Sequence, residues 1–297
     1  MPEGQQFVFG PWTSGLVNTV SEYDIPPDGL SVAEDINIDR TGVAVTRNKW
    51  ALEDNEHYVS IFKHVDTTYA VRGTSPRQVG VVGESSFAAI ATVAGPLWWT
   101  VLHGEPVYSD GDVIRLIRNG VAEALATGYY DYEEDDEYQM VPLPGGKFIN
   151  YWQGRLILAR GNSLLWSEAL RYGIYSATRN FVRFPEKIHW VAPLPTGIYV
   201  GTRSNVYFLS GSDPAKFTQR VVGGSSAPGV SAIYNPRHAD AAGEYVALWF
   251  TSDGIAVGQQ SGAVNYPQAE KLKELPLYPG KMVVENDRVT IFTTKEH

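Results

Sequence analysis

The 297-residue chain contains no cysteine. That excludes disulfides and thiolate metal sites, and it fits synthesis and assembly in a reducing cytoplasm. No apolar run approaches the roughly 20 residues of a membrane-spanning helix. The opening MPEGQQFVFGPW lacks the basic region and apolar core of a signal peptide, so the chain reads as a soluble protein. Helical periodicity of any length is missing; Ser163 to Tyr172 is the one short candidate. The six histidines (His57, His64, His103, His189, His238 and His297) show neither H-x-H nor H-E-x-x-H spacing. His103 and His189 lie in strand-like surroundings, where a hydrogen-bonded structural role is the better reading. There is no G-x-S-x-G elbow, no phosphate-cradling Gly-Lys-Ser/Thr phrase and no Gly-rich turn opening a helix. The nearest elbow-like phrase, Gly223-Gly-Ser-Ser-Ala-Pro-Gly, has the wrong spacing and reads as a flexible loop. No catalytic residue, metal ligand or cofactor site is expected, and the chain does not read as an enzyme.

What the sequence does hold is turn residues and bulky apolar ones. Gly (29) and Pro (18) supply turns, while 17 Tyr and 8 Trp within a 43% apolar composition favour pleated surfaces and a large core. Alternating apolar strands recur as Tyr69–Arg72, Trp99–Leu102, Arg155–Ala159, Gly197–Val200, Tyr245–Phe250 and Arg288–Phe292. Their starts are 30, 56, 42, 48 and 43 residues apart, and the last three steps match the roughly 40 to 50 residues of a four-stranded propeller blade. Gly161-Asn162, Ser204-Asn205 and Asp253-Gly254 place turn formers between apolar runs. The expected fold is all-β: a single β-propeller-like domain of about five to six blades, with an irregular β-sandwich or two small barrels as the alternative.

Residues 1–41 read as an extended N-terminal arm and 42–297 as the body. Phe7, Phe9 and Trp12 are isolated anchors, Pro26-Pro27-Asp28-Gly29 forces a turn, and Ser31–Asp35 has room for one helical turn. Ile36 and Ile38 then alternate against Val43 and Val45 across Asp39-Arg40-Thr41-Gly42, a hairpin signal. The last unit, Met282–Phe292, holds only two strands. An unclosed ring leaves edges open to aggregation, so the strand near 43–50 is expected to complete that blade.

Charge is uneven. The net −9 is concentrated in Tyr129–Tyr138, YYDYEEDDEY, which carries six acids and no base. The rest is close to neutral, so broad attraction to nucleic acid is not expected. As a calcium loop the tract fails, with Asp136 where a sharp turn needs Gly and Pro142 where Glu is needed. It reads as a solvated loop or, with tyrosines among the acids, as a docking patch. Asp110, Asp112, Glu168, Asp213 and Asp253 sit at turns, where a glycan-cleaving propeller would place its carboxylates. None stands in a Ser-x-Asp-x-Gly-x-x-Trp phrase, and Asp is common in turns for its own reasons.

The arm phrase PPDGLSVAEDINIDRTGVAVTRNKW resembles the N-terminal signature of virion structural proteins of tailed bacteriophages, matched here at Pro27, Asp28, Gly29, Ala33, Asn37, Asp39, Gly42 and Arg47. Val206–Phe217 and Phe250–Val257 are similar to a strand and turn of phage and prophage tail proteins. The two stretches cover at most about a third of the chain, which is too short for the inserted domains of long nozzle proteins. The resemblance implies a tail hub, nozzle or head–tail connection subunit, assembled in the host cytoplasm and carried in the virion. It would form a homo-oligomeric ring, a hexamer, that contacts other tail or connector proteins, with DNA passing nearby without specific binding. The surface expected to meet neighbours comprises Trp12, Leu16, Tyr23, Ile25 and Leu30 in the arm. In the acidic tract it comprises Tyr129, Tyr130, Asp131, Tyr132, Glu133, Glu134, Asp135, Asp136 and Glu137. A carbohydrate-binding or glycan-hydrolysing propeller is the alternative.

Overall fold

A computed structural model describes residues 57–73, 76–83, 86–125, 140–234, 245–285 and 288–293, together with four short strands near the N-terminus. Those are β1 (Gly15–Leu16) and β2 (Gly29–Leu30), a parallel pair, and β3 (Ile36–Ile38) and β4 (Ala44–Thr46), an antiparallel hairpin. The hairpin expected across Asp39–Gly42 is therefore present, with Ile36 opposite Thr46 and Ile38 opposite Ala44. The helical turn expected at 31–35 lies outside the described residues.

Five four-stranded antiparallel sheets follow in chain order. The first is β5 (Tyr58–His64), β6 (Thr67–Arg72), β7 (Arg77–Val82) and β8 (Phe87–Val93). The second is β9 (Trp98–Leu102), β10 (Glu105–Ser109), β11 (Ile114–Arg118) and β12 (Val121–Ala124). After β13 (Met140–Pro142) comes the third, β14 (Lys147–Trp152), β15 (Arg155–Arg160), β16 (Ser163–Trp166) and β18 (Phe181–Arg183). Its side loop carries β17 (Ile174–Ser176), which pairs with β13. The fourth is β19 (Trp190–Leu194), β20 (Gly197–Gly201), β21 (Val206–Ser210) and β22 (Thr218–Gly223). The fifth is β23 (Ser231–Tyr234), β24 (Val246–Thr251), β25 (Gly254–Gly258) and β26 (Val264–Asn265). The last sheet among the described residues has two strands, β27 (Gly280–Glu285) and β28 (Arg288–Thr293). The chain is a β-propeller, with five four-stranded blades and a further two-stranded hairpin among the described residues. First strands of successive blades lie side by side, β9 with β14, β14 with β19, β19 with β23, and β23 with β27.

Blade-on-blade packing follows from the two-residue period of a strand, which sends alternate side chains to opposite faces. On β15, Leu156 and Leu158 pack towards the second blade and Ile157 and Ala159 towards the fourth. On β20, Ile198 and Val200 join the core between blades three and four, while Tyr199 joins the one between four and five. On β24, Ala247 and Trp249 face back and Leu248 faces the terminal hairpin. Strands buried on both faces must be apolar throughout, and they read as the continuous runs seen in the sequence.

Second strands begin at 67, 105, 155, 197, 246 and 288, steps of roughly 40 to 50 residues throughout. The strands expected to open each unit are these second strands, except Trp99–Leu102, which is a first strand. That slip alone produces the uneven early spacings. Ser163–Tyr172 is no helix: Ser163–Trp166 is β16, and turns follow.

First-to-second hairpins turn on His103-Gly104 and Gln153-Gly154, both residues of each pair having positive φ, the geometry that matches strand twist. The corresponding turn of blade one uses Val65 at φ 53°, a costly choice for a β-branched residue.

Candidate functional site

The two ends of the blade series are strand faces that no further blade covers among the described residues. On β5, Ser60 and Phe62 face the second blade: the Trp99 indole N–H donates to Ser60 Oγ at 3.1 Å, and Phe62 stacks on Trp99 at 5.1 Å. Ile61 points the other way and is 64% exposed. At the opposite end, Met282 and Val284 on β27 pack towards blade five, and Val283 points away, 48% exposed. Each end therefore presents an apolar strand face with no blade against it among the described residues. Two sheets, β27–β28 and β3–β4, are hairpins of two strands where every full blade has four. Among the described residues β3 pairs only with β4 and β28 only with β27.

Of the expected interface residues, Leu16 and Leu30 are opposite one another in the β1–β2 pair. Trp12, Tyr23, Ile25 and the tract Tyr129–Glu137 lie outside the described residues. The tract joins the outer edge of blade two, after Leu125, to β13 at the approach to blade three.

The turn carboxylates have local work. Asp110 Oδ1 accepts the backbone N–H groups of Asp112 and Val113 at 3.0 and 2.9 Å. Asp213 caps the 3-10 turn Pro214–Lys216, accepting the Ala215 N–H. Glu168 Oε1 accepts from the Asn180 side-chain amide at 2.7 Å and from Arg179 at 3.3 Å. Asp253 sits in the β24–β25 turn, its own N–H held by Thr251 Oγ1 at 3.2 Å. Among the described residues no three of His, Asp or Glu gather as metal ligands would. His103 is in a turn rather than a strand, exposed, with Nε2 3.1 Å from the Tyr172 hydroxyl. His189 immediately precedes β19, and its Nδ1 is buried without a partner. Burial, then the nearby Lys187 charge, pushes its pKa down and keeps the ring neutral.

Gly223–Gly229 is a latch and not a loose loop. Ser226, 3% exposed, accepts the Trp190 indole N–H at 2.8 Å. Ala227 is fully buried, and the Gly229 N–H donates to the His189 carbonyl at 3.0 Å. The phrase ties the front edge of blade four to blade five. Its composition of Gly, Ser and Pro hid this, because the partner is 36 residues away.

No family model and no curated protein matches the chain. Solved structures similar to it include YCF48 from Cyanidioschyzon merolae, at 13% identity and TM-score 0.49 over 85% of this chain and 83% of that one. The computationally designed protein Ika8 is similar at 7% identity and TM-score 0.49, over 80% and 68% of the two chains. KlHsv2, with a loop replaced by a Gly-Ser linker, is similar at 10% identity and TM-score 0.48, over 80% and 76%.

Proposed function

We propose that the chain is a structural subunit of a bacteriophage tail, at a hub, nozzle or head–tail connection, and that it acts by assembly and not by catalysis. The observation that carries this reading is the pairing of the tail-like arm phrase with an unfinished last blade. The arm phrase contains β3–β4, a hairpin that pairs with no other strand among the described residues, and the last described sheet of the body is another hairpin, β27–β28. In blades one, three, four and five the outermost strand is followed in the chain by the first strand of the next blade, and in blade two by the acidic tract and β13 before β14. If β3–β4 supplies the two outer strands of the sixth blade, β4 leads to β5 in the same way. That arrangement closes the ring of blades, covers the faces bearing Ile61 and Val283 and removes an open edge.

The hairpin can be donated within one chain or to the next copy; donation around a ring is a usual means of closing a cyclic assembly. A hexameric ring around the DNA passage, meeting other tail or connector proteins, is the assembly this reading implies. The acidic tract then suits a passage through which DNA slides, because carboxylates repel phosphates where Lys and Arg would bind them. The reading is tested by imaging purified full-length protein in negative stain: rings are expected, and isolated particles at every concentration would count against it.

A further inference from the structure

Two hairpin turns, at Gly111 and Gly161, and the segments entering β14 and β19 open onto one shallow cleft of about 260 Å³. Its walls carry three cations, Lys147 at the start of β14, Arg160 at the end of β15 and Lys187 in the approach to β19, with three glycines between them, Gly111, Gly146 and Gly161. No carboxylate is among the lining residues, in a chain whose net charge is −9. Like charges gathered this way raise one another's energy unless an anion sits between them.

The turns are fixed to one another. Ser109, fully buried, accepts the Gly146 N–H at 2.9 Å and the Gly111 N–H at 3.3 Å on one oxygen. The Gly145 N–H donates to the Asp112 carbonyl at 2.9 Å. On the other wall, the Ile188 N–H donates to the Gly161 carbonyl at 2.9 Å, and the Asn162 side-chain amide to the Phe184 carbonyl at 2.8 Å. A Cβ on Gly146 would fall 2.6 Å from the Ala159 carbonyl oxygen, so only glycine allows the strands to approach this closely. Lys147 is held in part by the Trp98 ring, its Nζ 5.1 Å from the centroid. Of the carboxylates flanking the lining residues, Asp110 holds its own turn and Glu186 accepts the Ser204 N–H and hydroxyl, both at 2.8 Å, while Asp112 is exposed beside Gly111.

We infer that this cleft is a binding site for a phosphate-class oxyanion, either free or carried as an ester on a small molecule. The Arg160 fork matches two oxygens of such a group, while Lys147 and Lys187 act as point charges. Three cations neutralise a doubly charged oxyanion better than a single carboxylate. The hydrogen-bonded turns hold the cleft ready, which lowers the ordering cost of binding. The inference is independent of the tail reading, since it rests on the cleft alone.

The test is calorimetric titration of the full chain with inorganic phosphate and, in a second arm, with a hexose phosphate, in low-salt chloride buffer. Saturable one-to-one binding is expected, and the arm that binds tighter identifies the free or the esterified form. Lys147→Gln, Arg160→Gln and Lys187→Gln each weaken binding about five-fold, the loss of one charge at contact distance in water. The triple variant shows no saturation, and Lys63→Gln, on another blade, binds as the unaltered protein does. All four positions are exposed, so melting temperatures stay close to that of the parent and separate lost binding from lost fold. Absence of saturable heat in both arms overturns the inference, as does equal binding by the triple variant. Duplex DNA captured through these residues while both phosphate arms stay silent would also overturn it.

Discussion

Trp190 offers the sharpest test of how the blades are held together. Its side chain is fully buried, its ring stacks on Trp249 at 5.4 Å, and its indole N–H reaches Ser226 Oγ at 2.8 Å. The fit is close: a Cβ on the opposing Gly201 would sit 2.1 Å from the ring. Trp190→Ala opens a cavity between blades four and five and is expected to cost about 4 to 5 kcal/mol, the upper part of the range for a buried aromatic. That is a large share of a typical domain stability of about 5 to 15 kcal/mol. Trp190→Phe keeps most of the ring but strands the Ser226 hydroxyl, and Ser226→Ala strands the indole N–H; each costs about 1 to 3 kcal/mol. Because both changes break the same bond, the double variant should cost clearly less than the sum of the singles. Urea unfolding followed by tryptophan fluorescence gives all four values. A Trp190→Ala cost below about 1 kcal/mol, or strictly additive single costs, would refute the reasoning.

Other consequences are equally open to measurement. Val65 holds φ 53° at an exposed turn, so Val65→Gly should raise stability by about 1 kcal/mol, read as a higher urea midpoint. The Tyr108 hydroxyl is buried without a partner, and burial pushes its pKa up to about 12. A folded-state pKa above the unfolded one means that the folded state keeps its proton longer. Stability from this group is thus whole below about pH 10 and is lost as pH rises towards 12. Tyr108→Phe should leave neutral-pH stability unchanged or higher and make that alkaline decline shallower in melts taken across the range. Deleting residues 1–50 should lower the melting temperature and promote aggregation through the uncovered ends; an equally stable monomer would argue against closure by the arm.

The parts of the fold legible in sequence are those where both faces of a strand are buried. Runs such as Leu156–Leu158 and Ile198–Val200 announce themselves because neither face admits polar residues. First strands are harder to see: Lys147–Trp152 mixes exposed and buried positions and carries a bulge between Lys147 and Asn150. Outer strands such as Val121–Ala124 and Thr218–Gly223 are mostly solvated, so no apolar period marks them. In blade two the second strand carries Pro106, a residue that argues against a strand in sequence although here it stays in register opposite Val101. The Ser226 latch and the cleft cations escape sequence reading for a common reason: their partners come from different blades, and only packing brings 147, 160 and 187 together.

Ring formation is the property on which the proposed tail role depends. Mass photometry of the purified full-length protein tests it most directly. A hexameric ring gives a dominant species at six times the 32.8 kDa chain mass, lost when residues 1–50 are removed. A single monomeric peak at every concentration, unchanged by that deletion, would contradict it.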